Sequence, residues 1–366
     1  MPERPEEPEP HGPYEPYGPF GPYEYEADGT LAGTGPGAVA PTGTGGTMDL
    51  AAGEAATLRR PPSPEPGPGP EPGPKEPAKA RHKRGKPRSL WSDAWHDLRR
   101  NPVFLASALV ILFLLVISVS PSLIAPGDPL SCDLAHAQEG STPGHPFGFD
   151  GQGCDVYTRT VYGTRVSIAV GVLATAGVAL LGSVLGGLAG YFGGTGDAVL
   201  SRLTDVFFAI PVVLGGLVLL SVVTSDTIWP VVGFMVLLGW PQVSRIARGS
   251  VLTVGRQDYI QAARALGASH TRLLLRHIAP NAVAPVIVVA TIALGTYIAL
   301  EATLSYVGVG LRPPTVSWGI DISAASPYIR QAPHMLLWPA GALALTVLAF
   351  IMLGDAVRDA LDPKLR

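Results

Sequence analysis

Long apolar runs recur through the last three quarters of the chain, with polar stretches between them. A helix needs about 20 mostly apolar residues to cross a bilayer. Six stretches meet that length: 103–124, 166–190, 203–224, 228–247, 281–309 and 335–354. The second and fifth are clean over most of their length. The fourth is short and carries Pro241, which makes it the weakest of the six. "GSVLGGLAG" in the second span crowds small residues together, which suits close helix packing in lipid. The pattern predicts an all-α polytopic membrane protein with about six transmembrane helices.

Composition divides the chain. Its 366 residues are 47% hydrophobic and 15% charged, with a mean hydropathy of +0.28. That is too apolar for a soluble domain of this length. Residues 1–88 differ from the rest: they are rich in Pro, Gly and Glu and turn basic after residue 75. Such a segment cannot bury enough apolar surface to offset its ordering entropy. It is expected to be a disordered tail, followed by a membrane domain over 89–366. Its tyrosines offer a partner site, but a solvated tail is the preferred reading.

The formal net charge of −3 averages over opposite local signs. Lys83, Arg84, Arg99 and Arg100 precede the first span. Arg202, then Arg245, Arg248, Arg256, Arg264, Arg272 and Arg276, and finally Arg358, Lys364 and Arg366 fall on the same side of an alternating topology. Only Arg159, Arg165, Arg312 and Arg330 fall on the other. The larger group marks the cytoplasm, so both termini and the 248–280 loop are expected there, with the basic run near residue 80 against anionic membrane lipid. Cys132 and Cys154 then share a loop on the oxidising side and are a disulfide candidate. Closing that loop contributes roughly 3 kcal/mol. Two free thiols are the alternative. His136 and His145 lie nearby without ligand spacing, so no metal site is expected.

One polar stretch stands out. "QDYIQAARALGASHTRLLLRHIAPN" (257–281) lies between the fourth and fifth spans. Tyr259, Ile260, Ala263 and Leu266 recur at helical spacing. Gly267 suits a C-terminal glycine at positive φ, Ser269 an N-cap, and Pro280 a stop. Leu273, Leu274 and Ile278 form an apolar face. The stretch reads as a helical hairpin that serves as a connector, a DNA-binding motif or a dock for a cytoplasmic partner. Spans abut it on both sides and leave no third helix for a free domain, so no nucleic-acid partner is expected.

The hairpin also resembles the coupling loop of ABC-transporter permeases, through Ala262, Ala263, Gly267 and Pro280. Gln261 stands where that family usually has Glu, and Ala279 where it usually has Leu. "HPFGFDGQGCDVYTRTVYGTRVS" (145–167), "GLAGYFGG" (187–194), "PPTVSWG" (313–319) and "LGDAVRDALDPKLR" (353–366) are similar to dipeptide/oligopeptide permeases in the same order. Cys154 departs from the family, which usually has Arg there. The resemblance covers about 90–366. It implies a type I importer permease that forms half of a translocation path for peptides. It also implies a second homologous permease subunit, two ATP-binding cassette subunits and an extracytoplasmic substrate-binding protein. Nickel or another small solute is the alternative cargo.

The sequence has no G-x-x-x-x-G-K-[ST] loop. The chain is therefore expected to bind no cofactor and to be no enzyme, with ATP and Mg used by the partner subunits. Glu301 is expensive inside the fifth span. It is either a pathway or proton-relay acid or, as preferred, a hydrogen-bonded packing residue near the outer end. An ion-coupled secondary transporter would need such groups in matched repeat halves, and only Glu301 qualifies. Deleting residues 1–75 is expected to leave uptake within about twofold, or below ~0.5 kcal/mol. Loss of uptake at normal membrane abundance would give the tail a working role.

Overall fold

The computed structural model describes residues 90–223 and 227–361. The 1–88 tail, Lys83, Arg84, Lys364, Arg366 and the last five residues of the 353–366 motif lie outside that description. Among the described residues every regular element is helical. Five helices are long and apolar enough to cross a membrane, and a sixth span counts if one bent pair is taken together.

α1 (Leu90–Leu98) precedes α2 (Pro102–Val119). Asn101 caps α2: its side-chain oxygen accepts from the Val103 and Phe104 amides at 2.9 and 3.3 Å, and Pro102 starts the first turn, where a missing N–H does no harm. Only Ser107, Ile111, Leu114 and Ile117 of α2 are buried. Leu109, Leu112, Phe113 and Val116 face outward. A helix apolar on every side belongs in lipid.

α3 (Val156–Phe192) is longer than the expected second span and ends at Gly193, φ +64°. The expected third span is not one straight helix. α4 (Gly194–Phe208) and α5 (Val212–Val222) meet at 86°. Pro211 caps α5 from an extended backbone and lacks the N–H needed to continue α4. α6 (Trp229–Gly255) contains Pro241 in its interior and runs well past the expected end. After the hairpin come α10 (Ala284–Tyr306), α11 (Trp318–Ala325) and α12 (His334–Leu361).

The small residues of α3 set its packing. A side chain at Gly186 would overlap the Ser244 carbonyl, and a Cβ at Gly182 or Gly190 would lie 2.8 Å from the Trp240 or Arg248 carbonyl. Backbone therefore rests on backbone, and close contact replaces the hydrophobic drive that lipid removes. These contacts rise together along both helices, so α3 and α6 are parallel, and α4–α5 must return the chain between them. α10 runs the other way: Gly171 meets Ile298 and Ser167 meets Glu301. α12 reverses again, with Gly295 against Phe350 and Gly354 against Ile292. The main core lies among α3, α6 and α10, around Val170, Val178, Phe234, Met235, Tyr297 and Leu304. Ala94 and Leu98 of α1 pack on Ala356 and Ala360. Both described ends thus share the side on which α3 and α6 finish. The 120–155 loop and α11 occupy the opposite side.

Candidate functional site

α6 ends at Gly255, and the chain turns through Arg256 and Gln257 into α7 (Asp258–Ala265). Asp258 in the first turn complements the helix dipole. At the other end Gly267 takes φ +81°. Its amide donates to the Arg264 carbonyl at 3.0 Å, and the Ala268 amide donates to Ala263 at 3.1 Å. This paired closure needs a left-handed residue, which glycine adopts without strain. Ser269 caps α8 (His270–Arg272) by accepting from the Arg272 amide at 3.4 Å.

Pro280 does not stop the chain as expected. Leu273–Ile278 is a π-helix, and the Ala279 amide reaches back five residues to Leu274. Pro280 then falls in the first turn of α9 (Ala279–Ala282). The wider turn accommodates a ring that would clash in an α-helix. Asn281 Nδ2 donates to the His277 carbonyl at 2.6 Å. The hairpin thus runs on into α10 without a loop.

Its underside is clamped. Ile260, Leu273 and Ile278 are buried against Val251 and Ala282, with Leu274 beside them. Tyr191 Oη and His270 Nδ1 are 2.8 Å apart, which ties α8 to the end of α3. Arg248 of α6 holds the Asp197 carboxylate of α4 through two nitrogens. Gln261 Nε2 donates to the Gly255 carbonyl at 3.0 Å, satisfying the end of α6. A carboxylate at position 261 has no hydrogen to give that carbonyl.

The outer face differs from the expected stripe. Ile260 is buried and Ala263 half-buried, but Tyr259 and Leu266 point outward. Leu266 is 89% exposed at the tip. Ala262, Arg264, Ala265, Gly267 and Arg272 are also exposed. Sequence spacing grouped Tyr259, Ile260, Ala263 and Leu266, and the structure buries only Ile260 of the four. Tyr259 and Leu266 lie seven residues apart on one face of α7, and that face is exposed. The signal was present: an apolar residue directly before a C-terminal glycine.

Glu301 sits elsewhere, five residues before the end of α10, and is fully buried. It accepts hydrogens from Ser167 (3.0 Å), Ser305 (2.9 Å) and Ser317 (3.1 Å). Ser167 also accepts from the Trp318 amide at 3.3 Å, and the Trp318 indole donates to the Thr160 carbonyl at 2.9 Å. One carboxylate thus joins α3, α10 and the start of α11. Ser305 lies one helical turn on, at i+4 in the same helix, whereas Ser167 and Ser317 are not visible as partners from sequence spacing.

On the same side, opposite the hairpin, Cys132 and Cys154 lie with their sulfurs in bonding contact, 22 residues apart in the chain. Arg159 anchors this loop. It pairs with Asp321 of α11, donates to the Pro129 carbonyl at 3.3 Å and lies 3.6 Å from Asp150. Burial pushes the Asp321 carboxyl up to about 6, against the pull of Arg159. His136 is raised by its hydrogen bond with Glu139.

Comparisons with known proteins bear on the whole arrangement. Residues 182–366 match the family described as binding-protein-dependent transport system inner membrane component. Residues 89–140 match the N-terminal TM domain of oligopeptide transport permease C. The chain is 36% identical over 281 residues to the oligopeptide transport system permease protein OppC of Bacillus subtilis, covering 77% of this chain and 92% of that protein. It is 38% identical over 280 residues to the glutathione transport system permease protein GsiD of Escherichia coli, covering 76% and 92%. The same protein of Shigella boydii matches equally. The ion-coupled reading falls with these matches. The chain belongs to the family of inner-membrane components of binding-protein-dependent transport systems, and is a multi-pass, non-catalytic permease subunit of an ABC importer.

Proposed function

We propose that this subunit forms half of the path of an ATP-driven importer of peptides, and that the 256–280 hairpin docks on an ATP-binding cassette subunit. One observation carries the reading. The hairpin is clamped to α3 and α6 and joins α10 through α9 and a one-residue bend at Val283, while its tip around Leu266 is bare. A push on that tip moves three spans as a body, the kind of lever that switches access between two sides. The peptide class is supported by the names of the relatives, which transport oligopeptides and glutathione. The partners are a second permease subunit, two ATPase subunits that use ATP and Mg, and an external binding protein. The hairpin side is cytoplasmic, since Arg245, Arg248, Arg256, Arg264, Arg272 and Arg276 gather there. Glu301 acts as a packing acid, supported by its burial among three hydroxyls.

The test is ATP-dependent uptake of peptides into vesicles holding the full complex, with solute that co-purifies identified by mass spectrometry. Uptake without ATP, or a bound solute that is never a peptide, would overturn the reading.

We also propose that Cys132 and Cys154 are oxidised in the cell. Non-reducing peptide mapping should recover them linked. Two thiols that alkylate freely in the native protein would contradict both the bond and the outward placement of the loop.

A further inference from the structure

Gln242 is exposed and stands thirteen residues from either end of α6. At 1.5 Å per residue it lies ~4.5 Å deeper in the span than Arg245, the first arginine on the hairpin side of α6. Its amide has no hydrogen-bond partner among the described residues. Tyr297 of α10 lies at the same depth, its ring buried and its hydroxyl likewise unpartnered. Both line a cavity of about 230 Å³ with Val289, Ile292, Ala293 and Thr296. A second cavity of about 470 Å³ shares Val289 and Ile292 and extends to Arg358 and Leu361 at the end of α12. Through the shared Val289 and Ile292 they adjoin as a groove along α6 and α10 toward the hairpin side.

The groove is built for its polar groups. Gly239 lies one turn before Gln242 on α6, and a Cβ there would overlap the Tyr297 hydroxyl. The chain gives up a side chain to admit that oxygen. A free amide facing hydrocarbon at this depth is strongly unfavourable. The outward face of α2, with Leu109, Leu112, Phe113 and Val116, shows what this chain presents to lipid. The α6–α10 face is therefore matched to water, a polar ligand or a polar surface of the second permease subunit, and not to lipid. No ionisable carboxylate, ammonium or guanidinium lines the smaller cavity. Amide and hydroxyl both donate and accept, as a peptide bond does.

We propose that this groove is the subunit's wall of the translocation path, and that Gln242, Thr296 and Tyr297 hydrogen-bond the backbone amides of a peptide in transit. This rests on the import reading above. The chain's two cysteines are Cys132 and Cys154, so introduced thiols at Gln242→Cys and Thr296→Cys report cleanly. The full complex in vesicles is treated with a charged, water-soluble methanethiosulfonate, with Leu109→Cys as the lipid-facing control. Labelling at positions 242 and 296 is expected to be about tenfold faster than the control or more, and to slow when trialanine is transported. Reaction only with a lipid-soluble maleimide would put the face in lipid. A thiol sealed in every nucleotide state and cross-linked to the second permease subunit would make it an interface. Either outcome overturns the proposal. Gln242→Leu should cut uptake about tenfold, while Gln242→Asn keeps it within about threefold. Normal uptake by Gln242→Leu would remove the hydrogen-bonding role. Uptake by the parent complex separates the two readings. A parent that takes up no peptide sinks the import reading, whereas an active parent with shielded thiols sinks only the groove.

Discussion

Gly267→Val is expected to leave the subunit in the membrane and to cut ATP-driven uptake at least about tenfold. At φ +81° an L side chain is strained by about 1–2 kcal/mol, and a branched one by more. No atom lies within contact of a Cβ built there, so the effect is one of backbone and not of crowding. Relief requires φ to move, which breaks the Gly267–Arg264 and Ala268–Ala263 bonds that close α7. α8 then rotates, and His270 leaves Tyr191. The spans keep their core, because Gly267 is exposed and far from it in the fold. Insertion and pairing with the second permease should survive, and uptake should fall by tenfold or more, a change of ~1.4 kcal/mol in coupling. Gly267→Asn is the control, since Asn tolerates the left-handed region. It should retain most of the uptake. A valine variant that assembles and imports like the parent would return the hairpin to a plain connector.

Glu301→Leu is expected to destabilise the subunit by about 3 kcal/mol, at ~1 kcal/mol for each hydroxyl left without an acceptor. Ser167, Ser305 and Ser317 each donate to this carboxylate, and together they hold α3, α10 and α11. Unfolded helices in lipid find substitute partners, which keeps the loss at this level and not above it. Thermal unfolding of the purified complex should shift down, and membrane abundance should fall. Glu301→Gln keeps an acceptor oxygen and the same volume, so it should recover most of the stability. The pair of variants also separates packing from chemistry. A glutamine variant that is stable yet dead in uptake would mean that the acid itself works in the path. A leucine variant as stable as the parent would contradict the packing role.

Much of this was legible because membrane solvation leaves few choices. A run of about 20 apolar residues must become a helix, and five of the six expected spans do. The third failed at Pro211, where the hydropathy average hid a backbone break. Gly267 and Ser269 were readable because local backbone chemistry fixes their roles, whatever surrounds them. Pro280 misled because a helix has a second answer to proline, the wider π turn, and nothing nearby in sequence announces it. Leu266 misled because helical spacing groups it with Tyr259, Ile260 and Ala263, and only the Ile260 edge of that group meets the core. Two partners of Glu301, Ser167 and Ser317, stayed hidden for a different reason. Ser167 is 134 residues away, and only packing brings it within reach. The same holds for Gly239 and Tyr297, whose fit is a matter of shape across two helices.

The hairpin's contact with the ATPase can be captured directly. Leu266→Cys puts a thiol at the bare tip without disturbing Gln261, whose side chain caps α6. A short bifunctional cross-linker is applied to the assembled complex in membranes, and the product is identified by mass spectrometry. The account predicts one product, this subunit joined to an ATP-binding cassette subunit, with a yield that changes between ATP-bound and nucleotide-free states. Capture of lipid alone, or of the second permease subunit alone, in both states would contradict it.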